Sequence, residues 1–131
     1  MATASQIIRR ALRLIGAMDA SEALQANDAQ DALETLNAML AEWHEAQIGL
    51  PDYNLSSITD TLATDAADRE AIAYQLAIRV APEYERDIPP AVGVMAEQTM
   101  ARLRLRYFQP GTADFSELPS RCVTFNIETG Q

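Results

Sequence analysis

Between Ala29 and Gln47 the chain carries a pattern that few folds accommodate. Ala29, Leu33, Leu36, Leu40, Trp43 and Gln47 recur at alternating steps of four and three, apolar until the last. A repeat of that period places its members along one side of an α-helix. Asp31, Glu34 and Glu45 fall away from the seam, and Ala32, Ala38 and Ala41 are small enough for a neighbouring helix to approach closely. Asn27 or Asp28 supplies an N-cap, and Gly49-Leu50-Pro51 supplies a stop. A helix with one apolar face needs others to cover it, and flanking segments with the same period are the candidates.

Three such segments are present. Thr3-Ala4-Ser5-Gln6 reads as a capping box, followed by Ile8, Leu12 and Ile15 at helical spacing and by Gly16 as a left-handed terminator. Residues 17–28 are connecting chain, with one turn expected at Ser21–Leu24. Asp65 or Asp68 opens a third helix with Ile72, Leu76 and Val80 on one stripe and Ala73 and Ala77 beside it; Pro82 ends or kinks it. Pro89-Pro90 opens a fourth, whose inner face is Val92, Met95, Thr99, Leu103 and Tyr107, and Gln109-Pro110-Gly111 stops it. The predicted helix-packing core is therefore Leu33, Leu36, Leu40, Trp43, Ile72, Leu76 and Val80.

Residues 49–64 break every helical period, with Tyr53, Leu55 and Ile58 expected to form a short extended stretch. After Phe108 the character changes again: Val123, Phe125 and Ile127 alternate with Thr124, Asn126 and Glu128, which reads as one strand with no confident partner in its own chain. The fold class expected is mainly α, a small four-helix bundle over 1–108 with an extended C-terminal arm over 109–131 that forms a strand with another chain.

Charge restricts function. The chain of 131 residues has a formal net charge of −9, and residues 21–70 contain 11 acidic residues against Arg69 alone. Such a balance weakens any reading in which the monomer grips DNA by its phosphates. Arginines gather late in the helices, at Arg9, Arg10 and Arg13, at Arg79, and at Arg102, Arg104 and Arg106, where cations meet the negative end of the helix dipole. The last three are candidates for charge contacts with another subunit. No apolar run approaches the roughly 20 residues of a membrane span, and the first ten residues lack the apolar core of a signal peptide.

Chemistry-bearing residues are sparse. His44 is the one histidine and Cys122 the one cysteine, so neither a zinc site of several ligands nor a disulfide framework is expected. Glu83, Glu85 and Asp87 cluster after Pro82, but a glycosidase needs two carboxyls across a sugar-binding cleft, and sequence proximity does not supply one. They read as a solvated acidic turn, with cell-wall hydrolysis as the alternative and a generic helical interaction module as a third reading.

Three segments taken together carry a resemblance: Ala11-Leu12-Arg13-Leu14-Ile15-Gly16, then Asp31 to Trp43, then Leu76-Ala77-Ile78-Arg79-Val80-Ala81-Pro82-Glu83-Tyr84. In order and spacing they resemble the tail accessory factors of short-tailed bacteriophages, also known as head-to-tail adaptors, packaged-DNA-stabilisation or head-completion proteins. The resemblance implies a helical bundle with an extended C-terminal segment, and a structural, non-enzymatic role that needs no cofactor. It implies partners too: the portal protein, tail or nozzle proteins, and itself, as a ring of about a dozen copies through which packaged DNA passes without sequence-specific contact. Its place would be the head-tail junction of the virion, after synthesis in the host cytoplasm. Phe115, Leu118, Val123, Phe125 and Ile127 would be the anchors of the arm on the portal or a neighbour.

Overall fold

The computed structural model describes residues 2–108 and Pro110, and its described part is mainly helical. Elements follow in the order β1 (Ala2–Thr3), α1 (Ala4–Leu14), α2 (Ala26–Glu45), β2 (Thr61–Leu62), α3 (Ala66–Val80), a 3-10 turn (Ala81–Tyr84) and α4 (Pro90–Arg106). The arm anchors Phe115, Leu118, Val123, Phe125 and Ile127, the strand read there, and Cys122 lie outside the described residues.

α1 begins as its capping box dictates. The Thr3 hydroxyl accepts from the Gln6 amide at 3.3 Å, and the Gln6 side chain accepts from the Thr3 amide at 3.2 Å. It ends in a Schellman motif around Gly16 (φ 70°), with the Ala17 amide donating to Leu12 O at 3.0 Å. α2 starts earlier than its polar residues suggest. Gln25 occupies the N-cap without a side-chain cap bond, so Asn27 and Asp28 sit within the first turn. There the Asp28 carboxylate lies at the positive end of the dipole, which stabilises the turn without capping it. The stop is also displaced: Gln47, not Gly49, takes the left-handed position (φ 57°), and the Ile48 amide closes onto Trp43 O at 3.1 Å.

α3 is the central element, packed against α1, α2 and α4. Leu33, Leu36, Leu40, Trp43, Ile72, Leu76 and Val80 are all buried, together with Ile8, Leu12, Met39 and Leu62. Pro82 ends α3 as a helix, and the chain continues for one 3-10 turn closed by Glu85 at φ 52°. Pro89 and Pro90 open α4. Ala38, expected to admit a neighbouring helix, is exposed, because the covering helices approach the opposite side of α2.

Two features of the 49–64 connection are absent from the sequence reading. Thr61–Leu62 pairs antiparallel with Ala2–Thr3, so a two-stranded ribbon ties the connection to the start of α1. The Ala4 and Ser5 amides, which a helix start leaves without partners, donate to Asp60 O and Ile58 O. The expected extended stretch at 53–58 has no ladder; Leu55 is held instead by the Asn37 carboxamide, which donates to Leu55 O at 2.8 Å and accepts from the Leu55 amide at 3.0 Å. The turn expected at Ser21–Leu24 lies slightly earlier, with the Glu22 amide donating to Asp19 O.

Candidate functional site

The last turn of α4 and the end of α2 converge on one end of the bundle, where the chain leaves for its C-terminal segment. Asp68 organises this end. It lies four residues before Ile72 on the α3 stripe and is 1% exposed. Its carboxylate accepts from the Tyr107 hydroxyl at 2.6 Å and from Arg106 Nη1 at 3.3 Å; Arg106 Nη2 also pairs with Asp65. A buried carboxylate without such donors is costly, so its burial depends on these two residues of α4's end. The hydrogen bond to Asp68 pushes the Tyr107 phenol above its usual range, with burial adding to it. Burial raises Tyr53 nearby, and the Asp68 charge adds to that.

Gly49 completes the arrangement. Its φ of +114° belongs to glycine, and any Cβ there would overlap the root of the Tyr107 side chain. Tyr107 is thus clasped between the Gly49 backbone and Asp68. Around it opens a cleft of about 1020 Å³ lined by His44, Ile48, Leu50, Arg104, Tyr107 and Phe108. Phe108 is 69% exposed at its rim and Leu105 is 76% exposed one turn back, so the root of the C-terminal segment presents apolar surface to solvent.

The three candidate arginines have different environments. Arg106 is engaged by Asp65 and Asp68 of its own chain, Arg104 lines the cleft, and Arg102 borders a smaller cavity of about 190 Å³ beside Glu70 and Thr99. They form no continuous basic stripe. His44 is exposed, with Nδ1 3.2 Å from Leu50 O, and no cluster of three metal-ligating side chains exists among the described residues. Glu83, Glu85 and Asp87 are exposed on the 3-10 turn and the loop after it. Tyr84 beside them is pushed up to about 12, by burial first and by Asp28 second.

Sequence reasoning missed Asp68, Gly49 and Asn37 as organising residues. Asp68 left a signal, since an acid in register with Ile72, Leu76 and Val80 occupies a buried position. The contact of Gly49 with Tyr107 spans 58 residues and left none.

The family described as P22 tail accessory factor matches residues 1–119. The chain belongs to that family. No curated protein matches it. Membership gives it a structural role in the phage tail and association with virion components. No helix among the described residues is long and apolar enough to cross a membrane.

Proposed function

We propose that the chain is a head-to-tail connector: copies assemble as a ring beneath the portal, extend the DNA channel, help retain the packaged genome and dock the tail. The observation that carries this reading is the family match, which spans the whole bundle and the first part of the C-terminal segment, residues 1–119. The physical features agree with it. The bundle is tied by a buried core and by the Asp68 clasp, which suits a wedge that transmits load between neighbours. Exposed Leu105 and Phe108 mark the root of the arm as a surface awaiting a partner, and Phe115, Leu118, Val123, Phe125 and Ile127 are its proposed anchors. A net charge of −9 disfavours adhesion to DNA phosphates, so the genome can slide past.

Mixing the purified protein with its cognate portal and imaging by electron microscopy tests the proposal. Rings on the portal's tail-facing end are expected. Two well-folded proteins that form no ring would overturn it.

A further inference from the structure

Two oppositely charged faces of the bundle have no partner large enough to cover them among the described residues. On α1, Gln6, Arg9, Arg10 and Arg13 recur at steps that place them together, opposite the buried Ile8, Ala11, Leu12 and Ile15. All four are exposed, and α1 contains no acidic residue. Two of the guanidiniums are fixed in place. Arg10 pairs with Glu70 at 2.7 Å and lies over the Tyr74 ring at 5.9 Å, and Arg13 donates to Ala20 O at 3.0 Å. Arg9 makes no ion pair among the described residues. Each guanidinium has five donors, so the fixed ones retain free N–H groups around a shallow cleft of about 380 Å³ that Leu14 also lines.

The outer face of α2 has the opposite character. Asp31, Glu34, Glu42 and Glu45 fall on the side of the helix away from Leu33, Leu36 and Leu40, and no cation of α2 lies among them. Among the described residues only Glu42 of these acids has an ion pair, with Arg79 at 2.8 Å, and its side chain is still 62% exposed. Glu42 and Glu45 stand in the last turn of α2, where the helix dipole disfavours carboxylates. Between the acids lie Ala38, exposed, and Ala41, half-buried, whose methyl groups allow another helix to approach closely.

We propose that the arginine face of α1 docks on the acidic outer face of α2 of a second copy. The faces differ, so the contact is heterologous: each copy offers its α1 to one neighbour and its α2 to the next. The proposal deepens the ring reading and rests on it for closure into a ring. Pre-set guanidiniums lower the entropy lost on docking, and the incoming cations offset the repulsion between the α2 acids and their own helix end.

Charge reversal tests this in a form that includes its own rescue. One variant carries Arg9→Glu and Arg13→Glu, and the other carries Glu34→Arg and Glu45→Arg; thermal unfolding establishes that each is folded. Self-association is measured by sedimentation velocity, and ring formation by electron microscopy on the portal. Wild-type association is expected to weaken as salt rises from ~0.05 to ~0.5 M. Each variant alone is expected to associate roughly tenfold or more weakly than wild type. An equimolar mixture is expected to regain assembly, because reversed α1 then meets reversed α2 and the unaltered faces meet each other. A reversed variant that fails to fold is replaced by its neutral form, Arg9→Gln with Arg13→Gln, which must still weaken association.

Either variant assembling like wild type, or a folded mixture that does not regain assembly, overturns the proposal. Unchanged assembly with loss of DNA binding by the Arg9→Glu, Arg13→Glu variant also overturns it, and assigns the arginine face to phosphate. The two readings separate cleanly. Rings on the portal that ignore charge reversal leave the connector standing and remove this interface, while charge-dependent self-association without portal binding does the reverse.

Discussion

The two halves of α3 are held by different physics. Its C-terminal half carries Ile72, Leu76, Ala77 and Val80, each essentially inaccessible, in the apolar core shared with α1 and α2. Its N-terminal end carries Asp68, equally buried but secured by a hydroxyl and a guanidinium from the end of α4. The apolar half gains from buried area and from close packing shared over many contacts. The polar end depends on direction, because a hydrogen bond lost at a buried carboxylate has no substitute. The difference teaches that the stable part of the bundle and the part that fixes the exit of the chain toward its C-terminus are separable.

Leu76→Ala is expected to cause the largest loss, about 2–5 kcal/mol in denaturant unfolding, from transfer and cavity terms together. A value near zero would break the comparison at its apolar side. Gly49→Ala comes next, at roughly 2–4 kcal/mol, because it adds backbone strain to an overlap with Tyr107. Gly16→Ala serves as its control: that position has open space around it, and about 1–2 kcal/mol of left-handed strain is expected alone.

Asp68→Ala is expected to cost about 1.5–3 kcal/mol, toward the lower end because Arg106 and Tyr107 regain water. The sharper readout is local. Amide exchange should accelerate at residues 103–108 while Leu36 and Leu76 keep their protection, and acceleration spread over all four helices would erase the distinction between the two ends. Thr3→Ala, at a cap remote from both, should cost about 1 kcal/mol.

The smallest effect concerns alkaline pH. Tyr107 titrates above the usual 10.0 when folded, so its contribution is complete below pH 10 and is lost as pH rises through the higher folded value. Tyr84, at about 12, loses its own contribution between pH 10 and 12. From neutral pH, stability should be level to about pH 10 and decline beyond it, and Tyr107→Phe should lessen the decline; an unchanged profile would detach the hydroxyl from the clasp.

Much of the apolar half was legible in the sequence, because burial imposes a period and Leu33, Leu36, Leu40, Ile72, Leu76 and Val80 obey it. Caps were legible where residue type marks them, as with the Thr3 hydroxyl and with Gly16, whose missing Cβ admits the left-handed turn. They were not where the backbone manages alone: Gln25 caps α2 without a side-chain bond, and Gln47 adopts a positive φ that its side chain gives no reason to expect. The polar end was hidden for another cause. Tyr107 meets Asp68 and Gly49 across long sequence separations, and neither periodicity nor propensity encodes such meetings. The same holds for the ribbon between Ala2–Thr3 and Thr61–Leu62, which is too short for alternation to register.

The connection between α2 and α3 is pinned at Leu55 by Asn37, at Asp60 by Ser56 and Ser57, and at Leu62 by the ribbon. Pinning determines where such a chain can change length over evolution. Insertions between Pro51 and Asp52 would loop outward from exposed residues and leave the fastenings at Leu55, Asp60 and Leu62 in place. One extra residue between Asp60 and Leu62 would slip the ribbon by one position and turn Leu62 from core to solvent. Relatives of this chain should therefore vary in length at the first stretch and hold it constant at the second.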